Sequence, residues 1–184
     1  MRKLRRFYDA AELRRIYATR YDSSEWPEHT RRIAFTADLA QEIITKHGLT
    51  SLADLSCGDA SLTSKLRGID DFHLRDFTDA GDDILTLLAA LPRPVDLFIC
   101  TETIEHLEAP WTALERIAPK TKWLVLSCPN DERHDGNWEH YWSFDQNDVL
   151  GMLSQSGFTE PKYAGLWEPG WEYDYQIWTA RGQA

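Results

Sequence analysis

Cysteine is scarce in this sequence, and the few cysteines present are poorly spaced for a disulfide or for zinc. The 184 residues contain three of them, Cys57, Cys100 and Cys128, and none belongs to a Cys-x-x-Cys pair. Each lies in or beside an apolar, strand-like segment. Their odd number and wide spacing argue against a disulfide framework and a zinc site. They predict a reducing compartment such as the cytoplasm.

Long apolar runs and an excess of positive charge are also missing. No segment approaches the roughly 20 apolar residues of a membrane span, so no membrane partner is expected. Thirty acidic residues outnumber twenty basic ones, and the formal net charge is −10. Since nucleic acid is bound mainly through basic surfaces, this balance argues against such a partner, although a local basic groove stays open. A small molecule is the expected substrate.

What the sequence does contain is typical of one globular domain spanning residues 1–184. Hydrophobic residues make up 42% and aromatic residues 12%, and the length is sufficient to bury a core. Residues 1–30 are polar and aromatic with some helical spacing, which predicts a helical extension or lid. The candidate lid residues are Tyr21, Trp26 and His29, together with Arg32 just after this segment. Residues 31–184 form the predicted core of the domain.

Apolar runs of strand length alternate with segments of helical spacing along this core. Strands are predicted at 52–55, 72–77, 95–100, 123–127, 162–166 and 175–181. Helices are predicted at 28–47, 62–66, 82–91, 105–117 and 144–156, the last with a capping box of Ser143 and Gln146. The pattern predicts a doubly wound, Rossmann-like α/β fold with a mostly parallel sheet and an antiparallel final strand. Ligands of such sheets bind at the carboxyl ends of the strands.

A loop of small residues follows the first predicted core strand, over 54–62 with the sequence Asp-Leu-Ser-Cys-Gly-Asp-Ala-Ser-Leu. Small side chains allow a ligand to approach the backbone closely. The segment resembles the first motif of class I S-adenosylmethionine-dependent methyltransferases, with Ser56 and Ala60 where glycine is usual. Segments 95–107, 123–130 and 140–158 resemble later parts of that family in the same order.

The resemblance implies a cofactor, S-adenosylmethionine, and a set of residues that would bind it. From the first loop and the 95–101 strand these are Asp54, Ser56, Cys57, Gly58, Asp59 and Thr101. The family's ribose-binding acid is assigned to Asp76, with Asp70 or Asp71 as alternatives, and Asp82 or Asp83 is placed near the adenine. The interval before residue 95 is short for the family, so the third strand is expected to be reduced or lost.

Three acidic and imidazole side chains, Glu102, Glu105 and His106, follow the 95–100 strand at spacings that would share one face of a helix. His140 follows the next strand and is expected to lie beside them. Two carboxylates and two neutral imidazoles suit a divalent cation such as Mn, Mg or Fe. An alternative is that the Glu-His pair only orients substrate or caps a helix and that His140 packs.

The Glu-x-x-Glu-His segment resembles that of ubiquinone-pathway O-methyltransferases and, with a later histidine, that of small-RNA 2′-O-methyltransferases. The resemblance implies that Glu102, Glu105, His106 and His140 hold a metal that engages the substrate hydroxyl. Without a metal, His106 or His140 is the candidate base, and Glu105 belongs to the same catalytic set.

We therefore expect methyl transfer to a hydroxyl of a small molecule. The alternatives are methylation of an RNA 2′-hydroxyl and a catalytically silent module that keeps the fold. Trp138 and Trp142 are candidate pocket walls, whereas most other late aromatics, including Trp167, Trp171, Tyr173 and Tyr175, are expected to pack.

Overall fold

The computed structural model describes residues 1–19, 21–25, 27–132, 137–171 and 174–184, and within these ranges leaves aside the side chains of residues 25, 27, 79 and 80. Trp26 and Tyr173, named above as candidates, therefore lie outside the described residues. No helix in the described part of the chain combines the length and the apolar character needed to cross a bilayer.

Strands and helices alternate through the core as predicted. The strands are β1 (Arg2–Lys3), β2 (Ser51–Asp54), β3 (Asp71–Leu74), β4 (Val95–Thr101), β5 (Thr121–Asn130), β6 (Trp142–Ser143), β7 (Thr159–Leu166) and β8 (Asp174–Arg181). The helices are α1 (Ala10–Ile16), α2 (Pro27–His47), α3 (Phe77–Ala80), α4 (Ile84–Ala90), α5 (Pro110–Ile117) and α6 (Gln146–Gln155).

Six strands form one sheet in the order β3-β2-β4-β5-β8-β7. The first four are parallel, and β8 runs antiparallel to both of its neighbours. The predicted doubly wound sheet with an antiparallel final strand is thus confirmed. The expected loss of the third strand is also found, because residues 75–94, all described, form α3 and α4 but no strand.

Alternate strand residues are buried on opposite faces of this sheet, so each face has its own core. On one face Leu52, Leu97 and Val125 pack against α2. On the other face Ala53, Phe98 and Leu126 pack against α4, α5 and α6. Continuous apolar strands are what a sheet covered on both faces requires, and this rigid centre holds the strand ends that carry the polar residues.

Several predicted boundaries are wrong for local reasons. The helix expected over 105–117 is a 3-10 turn at Ile104–His106 followed by α5, which begins only at Pro110. Proline disfavours helical backbone in the residue before it and is itself well placed at the first helical position. The helix predicted at 62–66 is likewise only a 3-10 turn, Thr63–Lys65.

The cap of α6 also differs from the prediction. Asp145, rather than Ser143, is the N-cap, and it forms a reciprocal capping box with Asp148. Ser143 lies in β6, where it is paired with Arg2 of β1. That pairing ties the start of the chain to the segment after β5, so the N-terminal extension contains a strand as well as the predicted helix.

Candidate active site

The carboxyl ends of β2 and β4 open onto a cavity of about 740 Å³. Its walls come from the loop after β2, the start of α3, the segment after β4 and the N-terminal extension. The volume is in the range of small-molecule and cofactor pockets, and the position is the one at which doubly wound sheets bind ligands. A smaller hollow of about 440 Å³ lies at the amino ends of the strands, away from the predicted site residues.

The loop after β2 turns sharply through two residues with left-handed backbone. Gly58 has φ +51° and Ala60 has φ +58°. A Cβ at Gly58 would lie 3.0 Å from Cδ1 of Tyr21, so this position needs glycine for both conformation and space. Ala60 adopts the same left-handed backbone although it has a side chain, which costs conformational energy. The turn therefore forms with alanine at a position where the resemblance leads one to expect glycine.

Asp54, the last residue of β2, is buried beneath this loop, and its Oδ1 accepts a hydrogen bond from the Ser56 amide (3.2 Å). Burial raises the pKa of Asp54 to about 7, and the Ser56 amide only partly opposes that effect. Ser56 Oγ lies 2.7 Å from Thr103 Oγ1, and Thr103 in turn donates to the Thr101 carbonyl (3.0 Å). These contacts join the ends of β2 and β4, and Ser56 and Thr101 both line the cavity.

Asp76 lines the cavity, as expected. The sequence also predicts that it lies at the end of a strand, and this is wrong. β3 ends at Leu74, and Asp76 is the N-cap of α3, where its Oδ1 accepts from the Thr78 amide. Its Oδ2 accepts a hydrogen bond from the Gly58 amide at 2.8 Å. The alternatives Asp70 and Asp71 lie at the amino end of β3 and do not line the cavity, so Asp76 is the better-placed candidate.

Asp59 joins the loop to the N-terminal extension. Its carboxylate accepts hydrogen bonds from the amide and hydroxyl of Ser23 and from the amide of Ser61. Burial opposes ionisation of Asp59, but these bonds outweigh it and lower its pKa to about 2. Cys57 also lines the cavity, and its amide donates to the Arg75 carbonyl (3.1 Å). The predicted cofactor residues are thus brought together at one edge.

The shared helical face predicted for Glu102, Glu105 and His106 is wrong. Glu102 has left-handed backbone (φ +49°) and precedes a 3-10 turn, so the spacing of a regular α-helix does not apply. The structure nevertheless brings three of the four predicted ligands together. Glu105, His106 and His140 each offer one ligand atom, and these atoms all lie within 4.8 Å of one another.

Glu105 is the most enclosed member of this group. It is 0% exposed, and neither carboxylate oxygen has a hydrogen-bond partner among the described residues. His106 Nε2 lies 3.9 Å from its Oε1. Burial raises the pKa of Glu105 well above its usual value, and the charge of Glu102 adds to the effect.

Glu102 lies outside the group because other residues hold its carboxylate. Ser127 Oγ donates to Glu102 Oε1 at 2.7 Å, and Arg32 Nε lies 3.9 Å from the same oxygen. Arg32 is 3% exposed, and its guanidinium also lies over the ring of Tyr175. Burial raises the pKa of Glu102 and the charge of Arg32 lowers it, with burial the larger effect. A predicted ligand is thus the partner of a buried arginine.

Solved structures with the same architecture align over almost the whole length of the chain. The SAH-bound N-terminal domain of EvdMO1 aligns with a TM-score of 0.62 at 15% identity, covering 96% of this chain and 98% of that domain. NodS, an N-methyltransferase from Bradyrhizobium japonicum WM9 in complex with S-adenosyl-L-homocysteine, aligns with a TM-score of 0.69 at 18% identity, covering 95% and 98%. The chain has the fold of the class I S-adenosylmethionine-dependent methyltransferases.

A third chain with this methyltransferase fold is the SAM-bound magnesium protoporphyrin IX methyltransferase of Synechocystis PCC 6803. It aligns with a TM-score of 0.62 at 15% identity, covering 94% of this chain and 90% of that one. No model of a protein family and no curated protein matches the sequence. At these identities the similarity establishes the fold alone.

Two partners of the histidines were missed in the sequence. Glu132, two residues after β5, is 2% exposed, and its Oε2 lies 2.7 Å from His140 Nδ1. Tyr17, just after α1, places its hydroxyl 3.1 Å from His106 Nδ1. Neither residue belongs to a motif, so only the tertiary structure reveals them.

The histidines and Glu132 have shifted proton affinities because they are buried. Burial, reinforced by the charge of Arg5, lowers the pKa of His140 to about 3, and burial together with His140 lowers that of His106. Burial also raises the pKa of Glu132 to about 7, against the effect of Arg5. Both imidazoles are therefore neutral at physiological pH, which is the form that binds metals or accepts protons.

The tryptophans predicted to form pocket walls do not line the cavity. Trp138 is half exposed, and Trp142 packs against Phe7 and Trp111 while its Nε1 donates to the Leu107 carbonyl. Aromatic walls come instead from other residues, which are Tyr17, Tyr21, Phe77 and Tyr141. Trp167 is exposed, and Trp171 packs edge-on against Tyr175.

Proposed function

We propose that this protein is a methyltransferase that uses S-adenosylmethionine and transfers the methyl group to a hydroxyl of a small molecule. The observation that carries the proposal is the shared cavity. It is lined both by the loop after β2 and by His106 and His140, the two histidines of the polar group that they form with Glu105. A cofactor held by the loop and a nucleophile held by the histidines would meet inside one enclosed space.

The residues present fit the cofactor. The left-handed turn at Gly58 leaves the loop backbone without a side chain at the cavity, which allows close approach of a ligand. Asp76 is the proposed partner of the ribose hydroxyls, and Asp82 and Asp83, which also line the cavity, are the proposed adenine neighbours. When bound, the sulfonium supplies an activated methyl group for in-line displacement.

The residues present also fit a divalent cation such as Mn or Mg, held by Glu105, His106 and His140. Two neutral imidazoles and a buried carboxylate, whose oxygens have no hydrogen-bond partner in the part of the chain that the structure describes, form a suitable donor set. Such an ion lowers the pKa of a coordinated hydroxyl and fixes its position. We propose that Glu102, with its carboxylate held by Ser127 and facing Arg32, contributes negative charge beside the site without belonging to the ligand set.

The chain's own side chains would orient the acceptor and manage its proton. Tyr17 and other residues of the N-terminal extension line the cavity and would shield a bound acceptor from solvent. With both imidazoles neutral, His106 or His140 accepts the hydroxyl proton at a ring nitrogen if no cation is involved. In-line transfer also requires a fixed nucleophile. His106 lies in the 3-10 turn after β4 and His140 lies just before β6, and the two segments are joined by the hydrogen bond from the Tyr141 amide to the Glu105 carbonyl (2.7 Å).

The substrate screen should begin with sugars. EvdMO1's N-terminal domain has been crystallised in the presence of SAH and D-fucose, and polar side chains, among them Glu102, His106 and His140, line part of the cavity here. The test measures release of S-adenosylhomocysteine over a panel of sugars, phenols and amines. Turnover on hydroxyl compounds alone supports the proposal, whereas turnover confined to amines contradicts the hydroxyl assignment.

A second arm of the screen tests the cation. Exhaustive chelation should abolish turnover, and Mn or Mg should restore it. Activity that survives chelation, with no metal found by elemental analysis, contradicts the cation while leaving methyl transfer in place. His106 and His140 would then be the candidate bases.

A further inference from the structure

A hydrogen bond between two hydroxyls joins the loop after β2 to the segment after β4, beyond the end of the sheet. The pairing of β2 with β4 ends at Asp54 and Ile99. Further along both segments, Ser56 Oγ lies 2.7 Å from Thr103 Oγ1. Both residues line the cavity, and Thr103 is 5% exposed. The two hydroxyls therefore connect the segments at a point where the pairing of the strands has already ended.

The direction of this hydrogen bond follows from a second contact. The Thr103 hydroxyl donates its proton to the Thr101 carbonyl at 3.0 Å. Because a hydroxyl has only one proton to donate, Thr103 Oγ1 accepts from the Ser56 hydroxyl. Glycine is usual at position 56 in the motif that this loop resembles, and glycine has no side chain that could donate. The contact is therefore a feature of this chain rather than of the motif.

Thr103 also holds the turn that carries the polar group. The His106 amide donates to the Thr103 carbonyl at 3.0 Å and so closes the 3-10 turn after β4. In the same turn the Glu105 carbonyl accepts from the Tyr141 amide at 2.7 Å, and Tyr141 directly follows His140. A side chain of the loop after β2 is thus linked, through one threonine, to the backbone of the polar group.

The other side of this turn is held by β5. Glu102, the residue before Thr103, has left-handed backbone (φ +49°), and its amide donates to the Ser127 carbonyl at 2.9 Å. Such backbone is strained in a residue with a side chain, and it persists only where the surroundings hold it in place. With Ser127 on one side and Ser56 on the other, the start of the turn has a defined position between the two strands that flank β4.

We propose that Ser56 and Thr103 are positioning residues, and that their hydrogen bond sets the distance between the cofactor at the loop and the acceptor at the histidines. The inference rests on the proposed methyl transfer for its purpose. In-line displacement requires the reacting atoms to lie about 3–3.5 Å apart and aligned, and a misplacement of about 1 Å costs about 100-fold in rate. In this role neither hydroxyl exchanges a proton with the acceptor, because each acts through the backbone that it holds.

The kinetic test measures kcat with both substrates saturating, so that a loss of affinity does not enter. Ser56→Ala and Thr103→Val should each lower kcat by about 10- to 100-fold. The double variant should lose no more than either single one, since both remove the same hydrogen bond. Thr103→Ser keeps the hydroxyl and should keep kcat close to the wild-type value. Ser64→Ala is the control, because Ser64 donates to the Ser61 carbonyl and does not line the cavity.

A second measurement needs no turnover. Imidazole 1H–15N spectra of the full chain, labelled at its six histidines, report the surroundings of His106, whose signals His106→Gln assigns. In the cofactor-free protein Ser56→Ala should shift the His106 signals, although the change lies in another loop. Ser64→Ala should leave them in place.

The outcomes separate this inference from the proposed function. Unchanged kcat in Ser56→Ala, losses that multiply in the double variant, or unmoved His106 signals in Ser56→Ala overturn the positioning role. Shifted His106 signals in a protein that binds neither cofactor form support the link between the two segments and contradict the proposed methyl transfer. If Thr103→Val fails to fold by circular dichroism, Ser56→Ala alone decides, since it removes a single hydroxyl.

Discussion

Asp54 shows how burial of one carboxyl makes stability depend on pH. Its native pKa is raised to about 7, whereas an unfolded aspartate titrates at about 4. The native state keeps the proton over this interval while the unfolded state releases it. The free energy of unfolding therefore falls as pH rises through the interval, by at most about 1.4 kcal/mol per unit, and becomes level above about pH 7.

Asp54→Asn should remove this dependence, because the amide stays neutral and can still accept from the Ser56 amide. Urea denaturation at pH 5 and pH 8 measures it. From pH 5 to pH 8 the wild type should lose roughly 2 kcal/mol more of its free energy of unfolding than the variant does. A constant difference would show that Asp54 titrates normally.

Ala60 carries conformational strain that a glycine at this position would not. Because its φ is +58°, Ala60→Gly should raise the free energy of unfolding by up to about 1 kcal/mol. Ala89→Gly, on the exposed side of α4, is the matched control and should lower it by about 1 kcal/mol. Denaturant titration of both variants checks the prediction, and a loss of stability in Ala60→Gly would contradict it.

Asp76 is expected to bind the cofactor ribose as well as to support the loop. Asp76→Ala should weaken S-adenosylhomocysteine binding by about 1.5–3 kcal/mol, the range of hydrogen bonds to a charged group. Thr78→Val removes a hydroxyl that donates to Asp76 but leaves the carboxylate, so it should change the affinity little. Equal losses in the two variants would indicate that Asp76 acts through α3 alone.

At the scale of elements, the start of α6 depends on Asp145. Its reciprocal bonds with Asp148 satisfy amides that the helix itself leaves unpaired. Asp145→Ala should lower the free energy of unfolding by about 1 kcal/mol. Ser143→Ala should leave the helix cap unaffected because Ser143 lies in β6. Thermal denaturation measures both variants. A larger loss of stability in Ser143→Ala than in Asp145→Ala would indicate that Ser143 is the N-cap, as the sequence predicts.

Elements with a strong apolar pattern were predictable, and short turns were not. Strands β4 and β5 follow from continuous apolar runs. Helix α2 ends at His47, and the next residue, Gly48, has a φ of +61° that suits glycine. The segment after β4 was misread because its acids and histidine have helical spacing. The left-handed backbone at Glu102 and the late start at Pro110 arise from local geometry that spacing does not express.

At the scale of the whole molecule, the loop after β2 and the polar group of Glu105, His106 and His140 were predictable from the sequence. The residues that contact them were not. Tyr17, Ser23 and Glu132 come from segments without a motif, and only the folded chain brings them to His106, Asp59 and His140. The contacts of Tyr17 and Ser23 depend on the path of the N-terminal extension. That path is set in part by the pairing of β1 with β6. Each of these strands has only two residues, which is too short to give a recognisable pattern in the sequence.

The account as a whole rests on cofactor binding at the loop after β2. Titration calorimetry of the intact protein with S-adenosylhomocysteine and with S-adenosylmethionine tests it most directly. We expect one site per chain. Gly58→Val should abolish it, since the position has left-handed backbone and a Cβ there would meet Tyr21. Failure of both cofactor forms to bind the intact protein would contradict the proposed methyltransferase activity and leave only the fold.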